Sequence, residues 1–155
     1  VVAGIIVGAD HDDAAVFRRT LGFLQSARID ALQLNILTPL PGTPLFAELE
    51  RAGRIVDRDL THYDFRHTVI RPARMSREEL QAGADWLYRQ FYRLDRIVLR
   101  TLRAAWRLGP AAAGLALRLN LTYRADNRRE RVVGWDPSAP RAAAHAVLRP
   151  SSSAS

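Results

Sequence analysis

Cysteine and lysine are both absent from this chain of 155 residues. Without cysteine, the chain's own residues cannot form disulfides, bind zinc through thiolates or ligate an iron–sulfur cluster. All 23 basic side chains are arginines, and the formal net charge is +7. Basicity of this kind fits a GC-rich bacterial genome as well as it fits a partner of negative charge.

Long apolar runs are absent too, because no window approaches the roughly 18–20 apolar residues that cross a bilayer. The first residues are apolar but have no basic leader, so no signal peptide is predicted. Hydrophobic residues make up 48% of the chain, which favours a globular body. We therefore expect a cytoplasmic protein.

Two apolar strands flank one amphipathic helix at the start of the chain. Residues 1–8 form an apolar run that ends at Gly8, which is typical of a strand buried on both faces. A helix is predicted over 13–28 and a second strand over 31–37. This order predicts a right-handed βαβ unit with parallel strands, and hence an α/β fold.

A lone βαβ unit leaves part of its sheet uncovered, so its strands need neighbours. The chain also starts at Val1, and its only methionine is Met75. Both observations predict an incomplete domain whose partner is the missing N-terminal half of the same protein.

The remainder is predicted to be a short helix, a long connection and two further helices. Thr43 caps the short helix, Pro44 begins it and Gly53 follows its end. Residues 54–75 are predicted to be mostly loop, with a short strand over 67–70. A capping box over 76–79 begins a long helix that ends at Leu108, before Gly109 and Pro110, and a shorter helix follows over 111–124. The predicted divisions are 1–56, a connecting loop over 57–75, a helical extension over 76–135 and a disordered tail over 136–155.

The long helix carries an apolar row and a basic row. The apolar row, which predicts a packing seam, comprises Leu80, Ala84, Leu87, Phe91, Leu94, Val98, Leu102 and Ala105. The basic row comprises Arg89, Arg93, Arg96, Arg100, Arg103 and Arg107. Such a cationic ridge suits the phosphates of nucleic acid or of lipid headgroups. The alternative is a solvated face whose arginine stems cover apolar surface.

Acidic and imidazole groups follow the first strand at Asp10, His11, Asp12 and Asp13. Ligands bind at the C-terminal ends of strands in parallel α/β folds, and these side chains are suitable metal ligands. Acidic residues are equally typical of helix N-termini, where they cap the backbone. The sequence leaves both interpretations open.

A second group of titratable side chains is predicted to lie in a loop that contains His62 and His67. Histidines five residues apart do not share a helical face, which disfavours a metal pair on a helix. Loops often carry functional residues, and a structural role is the alternative. With Asp10, His11 and Asp12, these histidines are candidates for substrate contact or capping.

Three segments carry a resemblance to a known family. They are Gly4-Ile-Ile-Val-Gly8-Ala-Asp-His-Asp, Leu37-Thr-Pro-Leu-Pro-Gly-Thr-Pro-Leu-Phe, and His62-Tyr-Asp with Arg71-Pro-Ala-Arg-Met-Ser-Arg-Glu-Glu-Leu. In order and spacing they resemble the C-terminal half of radical SAM proteins of the cobalamin-binding-domain type. The resemblance covers about residues 3–100, and the Pro-Leu-Pro-Gly-Thr-Pro block is its most specific part.

The resemblance implies a fold and a set of cofactors. It implies a partial (β/α) barrel, of which 1–8 and 31–37 would be the last two strands. It implies S-adenosylmethionine, a [4Fe–4S] cluster on three cysteines of an earlier loop, and cobalamin in a preceding domain. The full-length protein would then perform radical-based methylation or rearrangement, and this chain would be inert alone.

The resemblance also implies roles for individual residues. Ile6 and Gly8 match the strand motif that lines the adenine of S-adenosylmethionine. Leu37 and Thr38 match the next strand end, whose backbone approaches the same base. The family motif ends in an acidic residue where this sequence has His11.

A different class of function is the rival hypothesis. The chain would then be a non-catalytic basic helical module that binds an anionic membrane surface, with nucleic acid the less favoured partner. The apolar segment 111–121 is too short to span a bilayer but suits its interface. A third hypothesis combines the two, with an enzyme that acts on a small-molecule or lipid-like substrate at the inner face of a membrane.

Overall fold

The computed structural model describes residues 1–126, which form two strands, five α-helices and one short 3₁₀ turn. In chain order these elements are β1 (Val2–Val7), α1 (Val16–Ser26), β2 (Ala31–Ile36), α2 (Pro44–Arg51), the 3₁₀ turn (Leu60–His62), α3 (Arg77–Phe91), α4 (Leu94–Leu108) and α5 (Pro110–Asp126). The predicted tail over 136–155 and the end of the predicted extension over 76–135 lie outside the described residues.

The two strands are parallel, as the βαβ pattern predicts. Their register runs from Val2 beside Ala31 to Val7 beside Ile36. Within residues 1–126 the sheet has these two strands alone, so β1 has a neighbouring strand on one side only. The α/β class is therefore confirmed.

The sheet is covered by helices on one face. Side chains of Ala3, Ile5 and Val7 pack into the main core with α1 and α3. On the opposite face Val2 and Ile6 are 62% and 63% exposed. The prediction that residues 1–8 are buried on both faces is therefore wrong for the described residues, because both helices contribute to the core on the same side.

Close packing joins α1 to α3. Phe17 of α1 is fully buried, and its ring lies against Gly83 of α3 so closely that a Cβ on Gly83 would overlap the ring carbons. Leu24, Leu80 and Leu87 complete this contact in the core.

The local signals at the starts of α2 and α3 and at the ends of α2 and α4 are confirmed. Thr43 Oγ1 accepts a hydrogen bond from the Phe46 amide, and Ser76 forms the complete capping box with Glu79. Gly53 and Gly109 follow their helices with positive φ values of 63° and 89°. The predicted strand over 67–70 is reduced to one antiparallel bridge between Ile55 and Ile70.

The predicted long helix is wrong, because two helices stand in its place. α3 ends at Phe91 and α4 begins at Leu94. At the break, Arg100 Nη2 donates to the Phe91 carbonyl (3.0 Å) and Arg124 Nη1 donates to the Tyr92 carbonyl (2.6 Å). These guanidinium groups satisfy carbonyls that the interrupted helix leaves free.

The break changes which face of the chain is buried. The α3 part of the predicted seam is buried, whereas Leu94, Val98 and Leu102 of α4 are more than half exposed. In their place α4 buries Ile97 and Arg100. A single uninterrupted seam from Leu80 to Ala105 is therefore wrong. None of the helices described between residues 1 and 126 meets the length and hydropathy needed to cross a bilayer.

Candidate functional site

The residues matched to the adenine site lie together at the C-terminal end of the sheet. Ile6 is exposed on the face of the sheet that the helices do not cover, which we call the open face. It lies beside Asn35 in the register of the two strands. The Leu37 amide donates to the Val7 carbonyl (2.8 Å), and a Cβ built on Gly8 would lie 3.6 Å from Leu37 Cβ. The backbone of Leu37 therefore continues the sheet edge next to Gly8.

Thr38 lies one residue further along and is buried. Its hydroxyl donates to the Ile36 carbonyl at 3.0 Å, so the side chain is bonded back to the end of β2. The four residues Ile6, Gly8, Leu37 and Thr38 thus belong to two adjacent strand ends. The assignment of these four residues to the adenine stays a prediction.

Asp12 organises the loop that follows β1. Its carboxylate is buried, and Oδ2 accepts hydrogen bonds from the amides of Gly8 (2.9 Å) and Ala9 (3.0 Å). Gly8 has a φ of 101°, which favours glycine, and a Cβ there would lie 2.8 Å from Leu80 Cδ2. The loop shape thus depends on a glycine and on an acidic residue four positions later.

Asp10 has a different partner. Its two carboxylate oxygens accept hydrogen bonds from Arg54 Nη2 and Nη1 at 2.7 and 3.0 Å. This bidentate contact lowers the pKa of Asp10 below its usual value. Because Arg54 Nε also donates to the Arg71 carbonyl, Asp10 connects the loop after β1 to the segment after α2.

The acidic cluster does not converge on one point. The His11 side chain is exposed and points its ring nitrogen to within 3.6 Å of Asp12 Oδ1, while Asp13 accepts from the Ala15 amide. Neither Asp10 nor Asp12 caps α1, whose N-cap is Ala15. Among residues 1–126 no group of three His, Cys, Asp or Glu side chains is placed to hold a metal ion.

His62 and His67 lie side by side, with ring centroids 5.0 Å apart. His62 Nδ1 contacts Asp57 Oδ2 at 2.9 Å, and His67 Nδ1 contacts Asp64 Oδ1 at 3.0 Å. The hydrogen bond with Asp57 raises the pKa of His62, and the same bond is the main reason that the pKa of Asp57 is lowered. The structure therefore brings the two predicted histidines together, each beside a carboxylate.

A polar groove beside β2 contains residues that the sequence prediction missed. The cavity measures about 620 Å³ and is lined by Gln33 and Asn35 of β2, by the loop from Asp64 to His67, and by α3. Gln81 of α3 accepts from the Thr68 amide and donates to the Arg66 carbonyl, which holds that loop in place. The alternation of polar and apolar residues over 32–36 is the signal that would have identified the open face.

The predicted row of six arginines is not one exposed ridge. Arg100 is only 8% exposed, stacks on the Phe91 ring at 4.2 Å, and donates to Asn120 Oδ1. Desolvation lowers the pKa of Arg100. Arg89 lies on α3, before the break, and Arg93 contacts Asp95 at 3.2 Å. Of the predicted row on α4, Arg96 and Arg107 are exposed and Arg103 is half-buried.

The chain is similar in sequence to segments of three known proteins. No protein-family model matches the chain. It is 34% identical to bacteriochlorophyllide d C-12(1)-methyltransferase of Chlorobaculum tepidum over 61% of the chain and 20% of that enzyme. It is 41% identical to the hopanoid C-2 methylase of Rhodopseudomonas palustris over 38% of the chain and 11% of that enzyme.

The third relative is the anaerobic magnesium-protoporphyrin IX monomethyl ester cyclase of Cereibacter sphaeroides. It is 31% identical over 58% of the chain and 14% of that enzyme. The chain thus matches no more than a fifth of the length of these curated relatives. It is related to a segment of two methylating enzymes and one cyclase.

Proposed function

We propose that this chain is the C-terminal part of a radical SAM enzyme of the cobalamin-binding-domain type, and that it forms the adenosine end of the S-adenosylmethionine site. The observation that carries the proposal is the position of Ile6, exposed on the open sheet face at the C-terminal end of β1. The similarity to segments of two methylating enzymes and a cyclase supports it.

The residues present fit an adenosine. Ile6 offers an apolar surface for one face of a planar base, and Asn35 beside it offers an amide that donates and accepts hydrogen bonds. Gly8 and Leu37 place backbone next to the same end of the sheet. The role of this chain is to bind and orient the nucleoside.

The residues present do not fit the cluster, because the chain has no cysteine to ligate iron. We assign the [4Fe–4S] cluster, and cobalamin where it is used, to the N-terminal half of the protein. When bound, S-adenosylmethionine and the cluster supply the 5′-deoxyadenosyl radical. This chain alone is then inert.

The N-terminal half is also the proposed partner of the sheet. β1 has no neighbouring strand on its outer side within residues 1–126, and the face that bears Val2 and Ile6 is uncovered. A strand of the missing half that pairs with β1 would extend the sheet towards a partial (β/α) barrel and enclose the open face.

We propose methylation in preference to rearrangement, because two of the three relatives carry methylation in their names. The named compounds are a bacteriochlorophyllide, a hopanoid and a protoporphyrin ester, which are all large ring systems with extensive apolar surface. The proposed substrate is therefore an apolar polycyclic small molecule.

The test uses the complete reading frame, starting from the DNA upstream of Val1. An in-frame extension that encodes three closely spaced cysteines is expected. The encoded protein, purified and reconstituted without oxygen, should convert S-adenosylmethionine to 5′-deoxyadenosine. A complete protein that lacks those cysteines or forms no such product would refute the proposal.

Two matched variants then test the site within that protein. Ile6 and Val2 lie on the same face of β1 with nearly equal exposure, but at opposite ends. Ile6→Ala should raise the KM for S-adenosylmethionine by about tenfold, equivalent to about 1.4 kcal/mol of lost contact. Val2→Ala should leave that KM within about twofold. Equal effects of the two variants would contradict the assignment of Ile6.

A further inference from the structure

The outer side of the helical hairpin formed by α4 and α5 carries a continuous apolar surface. On α4, residues spaced four apart point away from the core at Leu94, Val98, Leu102 and Trp106. All four are more than half exposed, and Trp106 is 89% exposed. We call these four side chains, together with Leu99, the outer apolar stripe.

The stripe is separate from the face that α4 uses for folding. α4 buries Ile97 and Arg100, and Arg100 contacts Asn120 of α5, so the two helices pack through a different side. The hairpin therefore holds its shape without covering the stripe. Within residues 1–126 nothing packs over the exposed side chains of the stripe.

Arginines border the stripe. Arg96, Arg103 and Arg107 recur along one side of α4, next to the stripe. Between Leu94 and Ala125 the only acidic residue is Asp95, which contacts Arg93 at 3.2 Å. This part of the protein therefore presents an apolar surface bordered by arginines, with no free acidic group. Such a surface complements a partner that is apolar inside and anionic at its boundary.

The residues at the turn of the hairpin strengthen this match. Gly109 alone joins the two helices, with Leu108 and Leu115 exposed on either side of it and Trp106 nearby. Tryptophan combines a large apolar ring with a polar N–H and favours the boundary between water and lipid. Nucleic acid would leave the exposed leucines and the tryptophan without apolar partners.

We propose that the α4–α5 hairpin docks on an anionic lipid surface, with the outer apolar stripe at the boundary of headgroups and acyl chains. Arg96, Arg103 and Arg107 then lie at the level of the lipid phosphates. The helix lies on the surface and does not cross it. This inference does not rest on the proposed enzyme activity, because it involves neither S-adenosylmethionine nor the sheet.

The test is flotation with vesicles of the protein that the complete reading frame encodes. The protein should float with phosphatidylcholine vesicles that contain about one quarter phosphatidylglycerol at low salt. It should bind vesicles of phosphatidylcholine alone at least about tenfold more weakly, and about 0.5 M salt should remove most of the difference. Failure to float with the anionic vesicles would overturn the proposal, as would equal binding to both vesicle types.

Variants locate the binding surface. Leu102→Ser with Trp106→Ser should weaken flotation by more than about tenfold, because it removes the centre of the stripe. Leu60→Ser is the matched control, since Leu60 and Leu102 are 66% and 63% exposed. It should leave flotation unchanged. Far-UV circular dichroism must show the same helix content in all three proteins.

A charge variant and two competing occupants complete the test. Arg96→Gln with Arg103→Gln and Arg107→Gln should abolish the preference for anionic vesicles, while Arg18→Gln should not. Binding to DNA that survives Leu102→Ser with Trp106→Ser and matches the vesicle affinity would overturn the proposal. A dimer in light scattering that the same double variant dissociates, without flotation, would assign the stripe to a protein interface and overturn it too.

Discussion

Gly83 lies where α3 packs against α1, and a Cβ added there would displace a neighbour. A Cβ at this position would overlap carbons of the fully buried Phe17 ring. We expect Gly83→Ala to lower the free energy of unfolding by about 1–3 kcal/mol, because the ring or the helix must shift. Urea denaturation followed by far-UV circular dichroism measures this change.

Gly22 supplies the matched control for that substitution. It lies within α1, and no atom lies within 4 Å of the Cβ that alanine would add. Gly22→Ala should therefore raise the free energy of unfolding, by up to about 1 kcal/mol, through its greater helix propensity. The same sign of change for both variants would show that the contact with Phe17 is not the cause.

His62 should titrate above the ordinary histidine range. Its Nδ1 contacts Asp57 at 2.9 Å, and this hydrogen bond raises the pKa of the imidazole. Proton NMR of the ring across pH should give a pKa above about 6.5 in the 155-residue chain. Asp57→Asn should return it towards that value, and an unchanged pKa in this variant would contradict the assignment.

The same contact has a defined effect on stability across pH. A raised pKa for His62 means that its contribution is complete below about pH 6.5 and is lost as pH rises through the folded pKa. The pKa of Asp57 is lowered, so its contribution to stability is lost in the opposite direction, as pH falls through the folded pKa. The pair therefore contributes its full stabilisation between the ordinary pKa values of the two groups, 3.8 for Asp57 and 6.5 for His62.

At the scale of the elements, Arg100 links three parts of the helical half. It donates to the Phe91 carbonyl at the end of α3 and to Asn120 of α5. We expect Arg100→Ala to lower the free energy of unfolding by about 2 kcal/mol, because the Phe91 carbonyl and Asn120 Oδ1 both lose their guanidinium donor. Urea denaturation with a probe of helix content measures the loss.

Arg96 is the control on the same helix. It is exposed, so Arg96→Ala should change the free energy of unfolding by less than about 0.5 kcal/mol. If the two variants cost the same, Arg100 would act as a surface charge and the account of the helix break would be wrong. The control also separates folding from lipid binding, in which the proposed roles of the two arginines are reversed.

The sequence predicted the starts of α2 and α3 and the end of α4 from local signals, whereas Asp10 and Asp12 before α1 do not cap it. Thr43 and Ser76 each bond to an amide three residues later, and Gly109 ends α4 by its own backbone conformation. The break after Phe91 has no such local signal. The groups that satisfy it are Arg100 and Arg124, which reach it from 9 and 32 residues further along.

The periodicity of the arginines was correct and its interpretation was incomplete. Spacing alone places Arg100 in a row with Arg96 and Arg103, because the helical repeat puts all three within about a quarter of the circumference of α4. Which of them is buried depends on where α5 packs. That packing follows from Gly109 and from Asn120, whose amide also contacts the Asp30 and Ala116 carbonyls.

At the scale of the whole molecule, the candidate site depends on what covers the sheet. The apolar run over residues 1–8 was predicted to be buried on both faces, yet only one face is covered by described residues. The resemblance predicted Ile6 and Leu37, but the position of Asn35 and Gln33 on the same face as Ile6 follows only once their register beside β1 is known. The pattern of apolar residues predicts which strand faces must be buried. It does not predict which part of the protein covers them.

Hydrogen exchange at the free edge of β1 tests whether a further strand pairs with it. The carbonyls of Val1 and Val7 accept from Ala31 and Leu37, so the odd-numbered residues of β1 face β2. The amides of Gly4 and Ile6 then point to the outer edge. In the 155-residue chain they should exchange at least about tenfold faster than those of Ala3 and Ile5.

The protein encoded by the complete reading frame should not show this alternation of fast and slow amide exchange along β1. A strand of the N-terminal half would accept hydrogen bonds from the amides of Gly4 and Ile6. Gly4 and Ile6 should then exchange as slowly as Ala3 and Ile5. The amide of Gly8 is the internal control, since Asp12 Oδ2 accepts from it whether or not β1 gains a neighbour. If Gly4 and Ile6 stay fast in the longer protein while Gly8 stays slow, no strand pairs with β1. The proposed barrel would then be wrong, whereas the proposed adenosine site is tested separately by the Ile6 variant.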